Sequence, residues 1–128
     1  MSSTLAYDLQ IEVRQGYIHA CVTVDNADRA IAMSFLSDAL IECAKHRRKR
    51  LLLERASAGS VAENELFYIM DDLVKMNDQT KIAFLNRHLL LAEELRDVVA
   101  YGAEIGGNYR CFNSFQEAEE WLLQDIED

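Results

Sequence analysis

Residues 49–54, Lys-Arg-Leu-Leu-Leu-Glu, carry the most information about the fold of this chain. Three consecutive leucines between charged residues are typical of a short strand that is buried on both faces, as the strands of parallel sheets are. Apolar residues at helical spacing precede this stretch over about 27–46 and follow it over about 61–76. A buried strand between two helices predicts a parallel sheet whose strands are joined by helical crossovers.

The residues before the first helix predict a hairpin. Apolar and polar side chains alternate over 5–14, and a second alternating run covers 17–24. Only Gln15 and Gly16 separate the two runs, and such a short connection joins antiparallel strands. Asp25 or Asn26 could then cap the following helix through a side-chain oxygen.

Two further strand–helix units complete the pattern. The glycines from Gly102 onward predict the end of the third helix, and Ser114 with Glu117 forms a capping box at the start of the last one. The predicted elements are a strand at 82–85, a helix at 89–100, a strand at 109–112 and a helix from 115. The order β-β-α-β-α-β-α-β-α predicts an α/β fold, with an N-terminal hairpin leading into a mixed sheet and helices packed on it.

Composition excludes several classes of protein. The chain has 128 residues, 13 basic and 22 acidic, for a net charge of −9, which opposes binding to nucleic acid. No apolar run is long enough for membrane insertion, and the N-terminus does not resemble a signal peptide. The basic run 45–50 is interpreted as a helix C-terminus, where cations are favoured. Cys21, Cys43 and Cys111 are expected to be buried free thiols, which indicates a cytoplasmic protein.

One loop is a candidate regulatory site. Ser57, Gly59 and Ser60 lie between the leucine strand and the next helix, at the predicted carboxyl edge of the sheet. Ligands and switches tend to lie at that edge, and free N–H groups at a helix start suit an anion or a phosphoserine. A flexible turn with Ser60 as N-cap is the simpler interpretation of the same residues.

The same edge offers candidate anion-binding residues. Arg55 follows one buried strand, and Arg87 and His88 follow the next. A hydrolase using Ser57 and His88 is a remote alternative, because no G-x-S-x-G motif surrounds a serine. The histidines and cysteines do not cluster, so no catalytic residue, metal or cofactor is predicted.

The element order resembles the SpoIIAA-like (STAS/Sec14-type) domains of the STAS superfamily, which contains anti-sigma-factor antagonists. The similarity runs from about 5 to 123, and it is carried by the opening hairpin, 49–54, 81–85, 109–112 and the helix Phe115-Gln-Glu-Ala-Glu-Glu-Trp-Leu122. It implies one STAS-like domain over 1–128, with an acidic tail at 124–128.

The resemblance also implies a function. Antagonist members of the superfamily dock on a partner kinase and are switched by phosphorylation of a serine in a D-S-[SA]-G loop. In this chain Ala56-Ser57-Ala58-Gly59 occupies that place, with Ser57 as the matching serine and Ala56 replacing the aspartate. The expectation is a non-enzymatic regulatory or protein-interaction module with an unidentified protein partner, and a homodimer fits it as well. A carrier of a lipophilic small molecule or lipid is the alternative.

Overall fold

The computed structural model describes residues 7–24, 28–55, 63–77, 79–86 and 89–124, except for the side chains of 63–64 and 89–95. Within these ranges, five strands and four helices follow one another in the predicted order. They are β1 (Asp8–Arg14), β2 (Tyr17–Thr23), α1 (Arg29–Lys45), β3 (Arg50–Arg55), α2 (Glu63–Met76), β4 (Lys81–Asn86), α3 (Leu89–Glu104), β5 (Tyr109–Phe112) and α4 (Phe115–Leu123). No helix in these ranges is both long and apolar enough to cross a bilayer.

The strands form one mixed sheet in the order β1-β2-β3-β4-β5. β1 pairs with β2 antiparallel, and every later pair is parallel. The leucine run lies in the central strand β3, and Leu51, Leu52 and Leu53 are all buried. The predicted fold class is confirmed, since a hairpin leads into a mainly parallel sheet that is covered by helices.

The two faces of the sheet have different coverings. α1, α2 and α3 lie on one face, over alternate residues of β2, β3 and β4 such as Ala20, Leu53 and Phe84. α4 lies on the other face, where Leu122 packs with Leu52 and other apolar residues of the central strands. This division follows from the topology, because right-handed crossovers that always advance in one direction place their helices on one face.

α1 begins two residues later than its sequence pattern predicts. Its N-cap is Asp28, whose Oδ1 accepts a hydrogen bond of 2.8 Å from the backbone N–H of Ile31. The prediction that Asp25 or Asn26 caps this helix is therefore wrong, and those two residues lie outside the described ranges. Asp28 carries the same kind of side-chain oxygen acceptor three residues before Ile31. The helix is therefore capped as the sequence predicts, but by a different residue.

α3 is longer than predicted, because Gly102 does not end it. The helix continues to Glu104, and a Cβ on Gly102 would lie 2.4 Å from Sδ of Met70 in α2. Gly102 thus allows α2 and α3 to approach closely. The chain turns only at Gly106, whose φ of +117° is a conformation that glycine adopts without strain.

The basic run lies at the C-terminus of α1, as the sequence predicts, with Lys45 in the last turn and Arg48 Nη1 donating to the C-cap carbonyl of His46 at 2.8 Å. One of its arginines also contacts the end of another helix. Arg50 Nε donates to the Leu122 carbonyl at 2.6 Å, and Lys81 Nζ donates to the Trp121 carbonyl at 2.6 Å. Both carbonyls belong to the last turn of α4, where backbone acceptors lack helical partners and carry partial negative charge. These two cations therefore attach α4 to the central strands.

Candidate functional site

An apolar cavity of about 110 Å³ lies between the sheet and the three helices on its first face. It is next to the ends of β3 and β4, near Arg55 and Asn86. Its wall is mostly aliphatic and aromatic. The lining residues are Val22, Ala32, Phe35, Leu36, Leu53, Arg55, Leu66, Ile69, Met70, Leu73, Phe84, Leu85, Asn86 and Val98.

α2 forms the roof of this cavity. Its closest backbone neighbours among the described elements are α1 and α3 rather than a strand. A helix that is supported at its sides can leave space beneath it. Leu66, Ile69, Met70 and Leu73 of α2 all line that space.

Two adjacent aspartates of α2 form hydrogen bonds to the helices on either side of it. Asp72 accepts from Arg29 of α1 at 2.7 Å, and Asp71 accepts from the hydroxyl of Tyr101 of α3 at 2.6 Å. Neighbouring residues of a helix point about 100° apart, so one carboxylate faces each neighbouring helix. Arg29 lowers the pKa of Asp72 through this hydrogen bond and its charge.

Arg55 is the one charged residue in the described lining of the cavity. It ends β3, and its register partner on β4 is Asn86, which is 4% exposed and also lines the cavity. Nε and Nη2 of Arg55 are buried and have no hydrogen-bond partner in the described structure. Burial lowers the pKa of the guanidinium. Two buried guanidinium nitrogens without partners beside an apolar wall are unusual, because buried polar groups normally form hydrogen bonds.

The structure places Arg55 at the carboxyl edge of the parallel strands, as the sequence predicts, although its role in binding an anion stays a prediction. The other predicted site residues lie outside the described ranges. They are Ser57, Gly59 and Ser60 of the candidate phosphoacceptor loop, and Arg87 and His88 of the predicted anion-binding rim. The hydrolase alternative, which needs Ser57 and His88, is likewise untested.

A polar cluster that the sequence analysis missed lies on the opposite face of the sheet. His19 Nε2 is 2.9 Å from Glu54 Oε1, and His19 Nδ1 is 3.5 Å from Glu12 Oε1. Arg14 donates to the same Glu12 oxygen at 2.7 Å. Hydrogen bonds from Arg14 and His19 lower the pKa of Glu12. We call these four residues the His19 cluster.

Half of the His19 cluster could have been found from the sequence. Counting outward from the turn at Gln15-Gly16 pairs Glu12 with His19, and the structure has this register. Glu54 could not be found in this way, because its proximity depends on the pairing of β2 with β3. The two glutamates face opposite nitrogens of the ring, so their oxygens do not converge on one point. In keeping with this geometry, the described residues contain no group of three His, Cys, Asp or Glu residues that could hold a metal ion.

A wider depression of about 420 Å³ lies beside the edge strand β5 and α3. Arg96, Arg110 and Glu117 contribute mixed charge to its lining. Both arginines are exposed to solvent, so neither carries the desolvation cost that Arg55 does. The cavity beside Arg55 is therefore the better candidate for a specific ligand site.

The architecture, with three crossover helices on one face of a hairpin-led mixed sheet and one helix on the other, is a SpoIIAA-like fold. A solved structure with the same fold is that of an uncharacterised protein of the DUF3478 family from Shewanella loihica. The two chains share 14% identity with a TM-score of 0.55, over 95% of this chain and 98% of that one. No family model matches the sequence, and no curated protein matches it significantly. At this level of identity the similarity shows the fold alone.

Proposed function

We propose that this domain binds a small apolar or amphipathic molecule in the cavity between its sheet and the helices α1, α2 and α3. The observation that carries the proposal is the cavity itself, which is lined by apolar side chains and has two polar groups at one end. Small-molecule sites commonly combine an apolar wall with a few polar groups that fix orientation, and in open α/β sheets they lie at the carboxyl ends of strands. Binding a lipophilic molecule is the alternative function that the sequence leaves open.

The proposed role is binding without catalysis. Among the described lining residues, none is a serine, cysteine, histidine, aspartate or glutamate. Nucleophilic and general acid–base mechanisms rely mainly on those side chains. The lining therefore supports retention of a ligand over its conversion.

Regulation through a protein partner is compatible with ligand binding and stays a prediction, as does a homodimer. Among the described residues, five large apolar side chains are more than a third exposed, on β1, α1, α2 and the turn after α3. They are Val13, Ile41, Tyr68, Met76 and Ile105. Scattered exposed apolar residues are normal for a monomer, so they support docking less directly than the cavity supports a ligand.

The test is titration of the protein with toluene and 1-hexanol, followed by two-dimensional NMR. We expect saturable shift changes at Leu36, Met70 and Val98, which line the cavity from three helices. Ala32→Val places two extra carbons in the cavity and should weaken binding of both probes. The matched control is Ala44→Val, since Ala44 lies on the same helix and is exposed.

Equal binding by the folded Ala32→Val variant, or shift changes confined to residues outside the cavity, would contradict the proposal. If Ala32→Val does not fold, the shift map of the unmodified protein decides the question alone.

A further inference from the structure

The unpaired atoms of Arg55 form one edge of its guanidinium group. The N–H of Nε and one N–H of Nη2 lie in the plane of this group and point in the same direction. Both nitrogens are buried without a hydrogen-bond partner in the described structure. Two parallel donors on that edge match the two oxygens of a carboxylate, which binds arginine in this bidentate way. The free edge therefore has the geometry of a carboxylate receptor.

The strands beside Arg55 supply no counter-ion. Its register partners are Val22 on β2 and Asn86 on β4, and neither is acidic. A water molecule could satisfy the N–H groups, but it would leave the positive charge of this half-buried side chain uncompensated beside an apolar wall. Removing a charge from water is costly unless the charge is paired. An anion from outside the chain would supply the missing partner.

We propose that the ligand of this cavity is a small organic monocarboxylate, with its carboxylate on the Nε–Nη2 edge of Arg55 and its apolar body in the cavity. This inference rests on the proposed function and specifies its ligand class. One cation matches one negative charge, whereas a phosphate dianion would need a second cation, and the described lining has none.

The size of the cavity limits the apolar body of the ligand. An engineered cavity of about 150 Å³ with an apolar lining takes up benzene. The cavity here is about 110 Å³, so it suits an aliphatic chain or ring of similar size or smaller. A long-chain lipid would have to extend beyond it.

The experiment compares hexanoate with 1-hexanol, two probes with the same chain length that differ in charge. Isothermal titration calorimetry at pH 7 measures both affinities for the unmodified protein and for Arg55→Gln and Arg55→Lys. We expect Arg55→Gln to weaken hexanoate about tenfold to a hundredfold, as the loss of a charge-assisted pair predicts, and to leave 1-hexanol nearly unchanged. Arg55→Lys keeps the charge but loses the bidentate geometry of the guanidinium. Its affinity for hexanoate should therefore lie between those of the unmodified protein and Arg55→Gln. The matched control is Arg96→Gln, because Arg96 is exposed and does not line the cavity.

The outcomes separate this inference from the proposed function. If 1-hexanol binds in the cavity as tightly as hexanoate, or if Arg55→Gln leaves hexanoate affinity unchanged, the carboxylate site is refuted and the apolar binding function stands. If neither probe binds, both proposals fail. If Arg55→Gln does not fold, the ratio of hexanoate to 1-hexanol affinity in the unmodified protein still decides between a charged and an uncharged ligand.

Discussion

Tyr17 links the sheet to α4, the helix on its second face, through both apolar packing and a hydrogen bond. It lies at the start of β2, is 1% exposed, and packs with apolar residues of α4. Its hydroxyl donates to a carboxylate oxygen of Glu119. Burial and this acceptor both raise the pKa of the phenol above its ordinary value of 10.0.

Tyr17→Phe should therefore change both stability and its pH dependence. At pH 7 the variant should lose about 1 kcal/mol of unfolding free energy, because a hydrogen bond to a charged acceptor is removed. A raised pKa in the folded state gives stabilisation that is present below pH 10 and lost as the pH rises above it. Urea unfolding from pH 7 to 11 should show the two proteins converging at the alkaline end. Tyr68→Phe, at an exposed tyrosine, is the control, and curves that stay parallel would contradict the expectation.

The three thiols differ in exposure, although the sequence predicts that all are buried. Cys43 is 1% exposed, whereas Cys21 and Cys111 are half-buried, so the prediction is wrong for those two. The reason for Cys21 is its phase on β2, since it lies on the opposite face from Ala20 and Val22. On that face α4 packs on the later strands β3, β4 and β5.

Thiol labelling of the folded protein should follow this order. Burial raises the pKa of Cys43 to about 12, which lowers the reactive thiolate fraction at pH 8 as well as access to it. Cys43 should label only when the protein unfolds, and Cys21 and Cys111 should label earlier. Mass spectrometry of peptides from timed samples measures the rates, and equal rates at all three sites would contradict the described burial.

At the scale of elements, hydropathy predicts the helices and strands but not how closely they approach. The alternation over 5–14 and the leucine run identify the strands because each pattern depends only on neighbouring residues. The sequence places the end of α3 too early because glycine is usually a stop signal. The proximity of Met70 and Tyr109 explains why Gly102 lies inside the helix. The cavity was equally beyond prediction, because it depends on how far α2 is held from the sheet.

Gly102→Ala tests the link between this helix contact and the cavity. Alanine favours a helix interior over glycine by about 1 kcal/mol, but the new methyl group would overlap Met70, which also lines the cavity. We expect a net loss of stability and weaker binding of 1-hexanol, as Met70 is pushed toward the ligand space.

The exposed neighbour provides the opposite control. Ala103→Gly should lose about 1 kcal/mol of stability through helix propensity alone and leave binding unchanged, since Ala103 does not line the cavity. A Gly102→Ala variant that is more stable and binds normally would show that Met70 moves aside at little cost.

At the scale of the whole molecule, three layers are joined through two separate apolar clusters. The larger cluster joins α1, α2 and α3 to the sheet, and the smaller one joins α4 to it. The sequence predicts that α4 is a packed helix, and Leu122 at 0% exposure is its largest fully buried side chain, whereas Trp121 is only half-buried.

Leu122→Ala should therefore destabilise the molecule by about 2–5 kcal/mol, as large-to-small changes at buried leucines do. Leu123→Ala on the same helix is the matched comparison and should lose less, because Leu123 is only partly buried. Guanidinium unfolding of both variants measures the difference. Equal losses would contradict the deeper burial of Leu122 in the smaller cluster, which Leu123 contacts only at its edge.

The uninterrupted strand order has a consequence for how the chain folds during its synthesis. Each strand pairs with the one made just before it, so the sheet can grow by addition at one edge as the polypeptide leaves the ribosome. With this order, no later strand has to insert between two strands that are already paired. The second face, with Leu52, Ala83 and Leu85, is covered only when α4 arrives last. We therefore expect nascent chains that stop before residue 115 to be bound by chaperones that recognise exposed apolar surface.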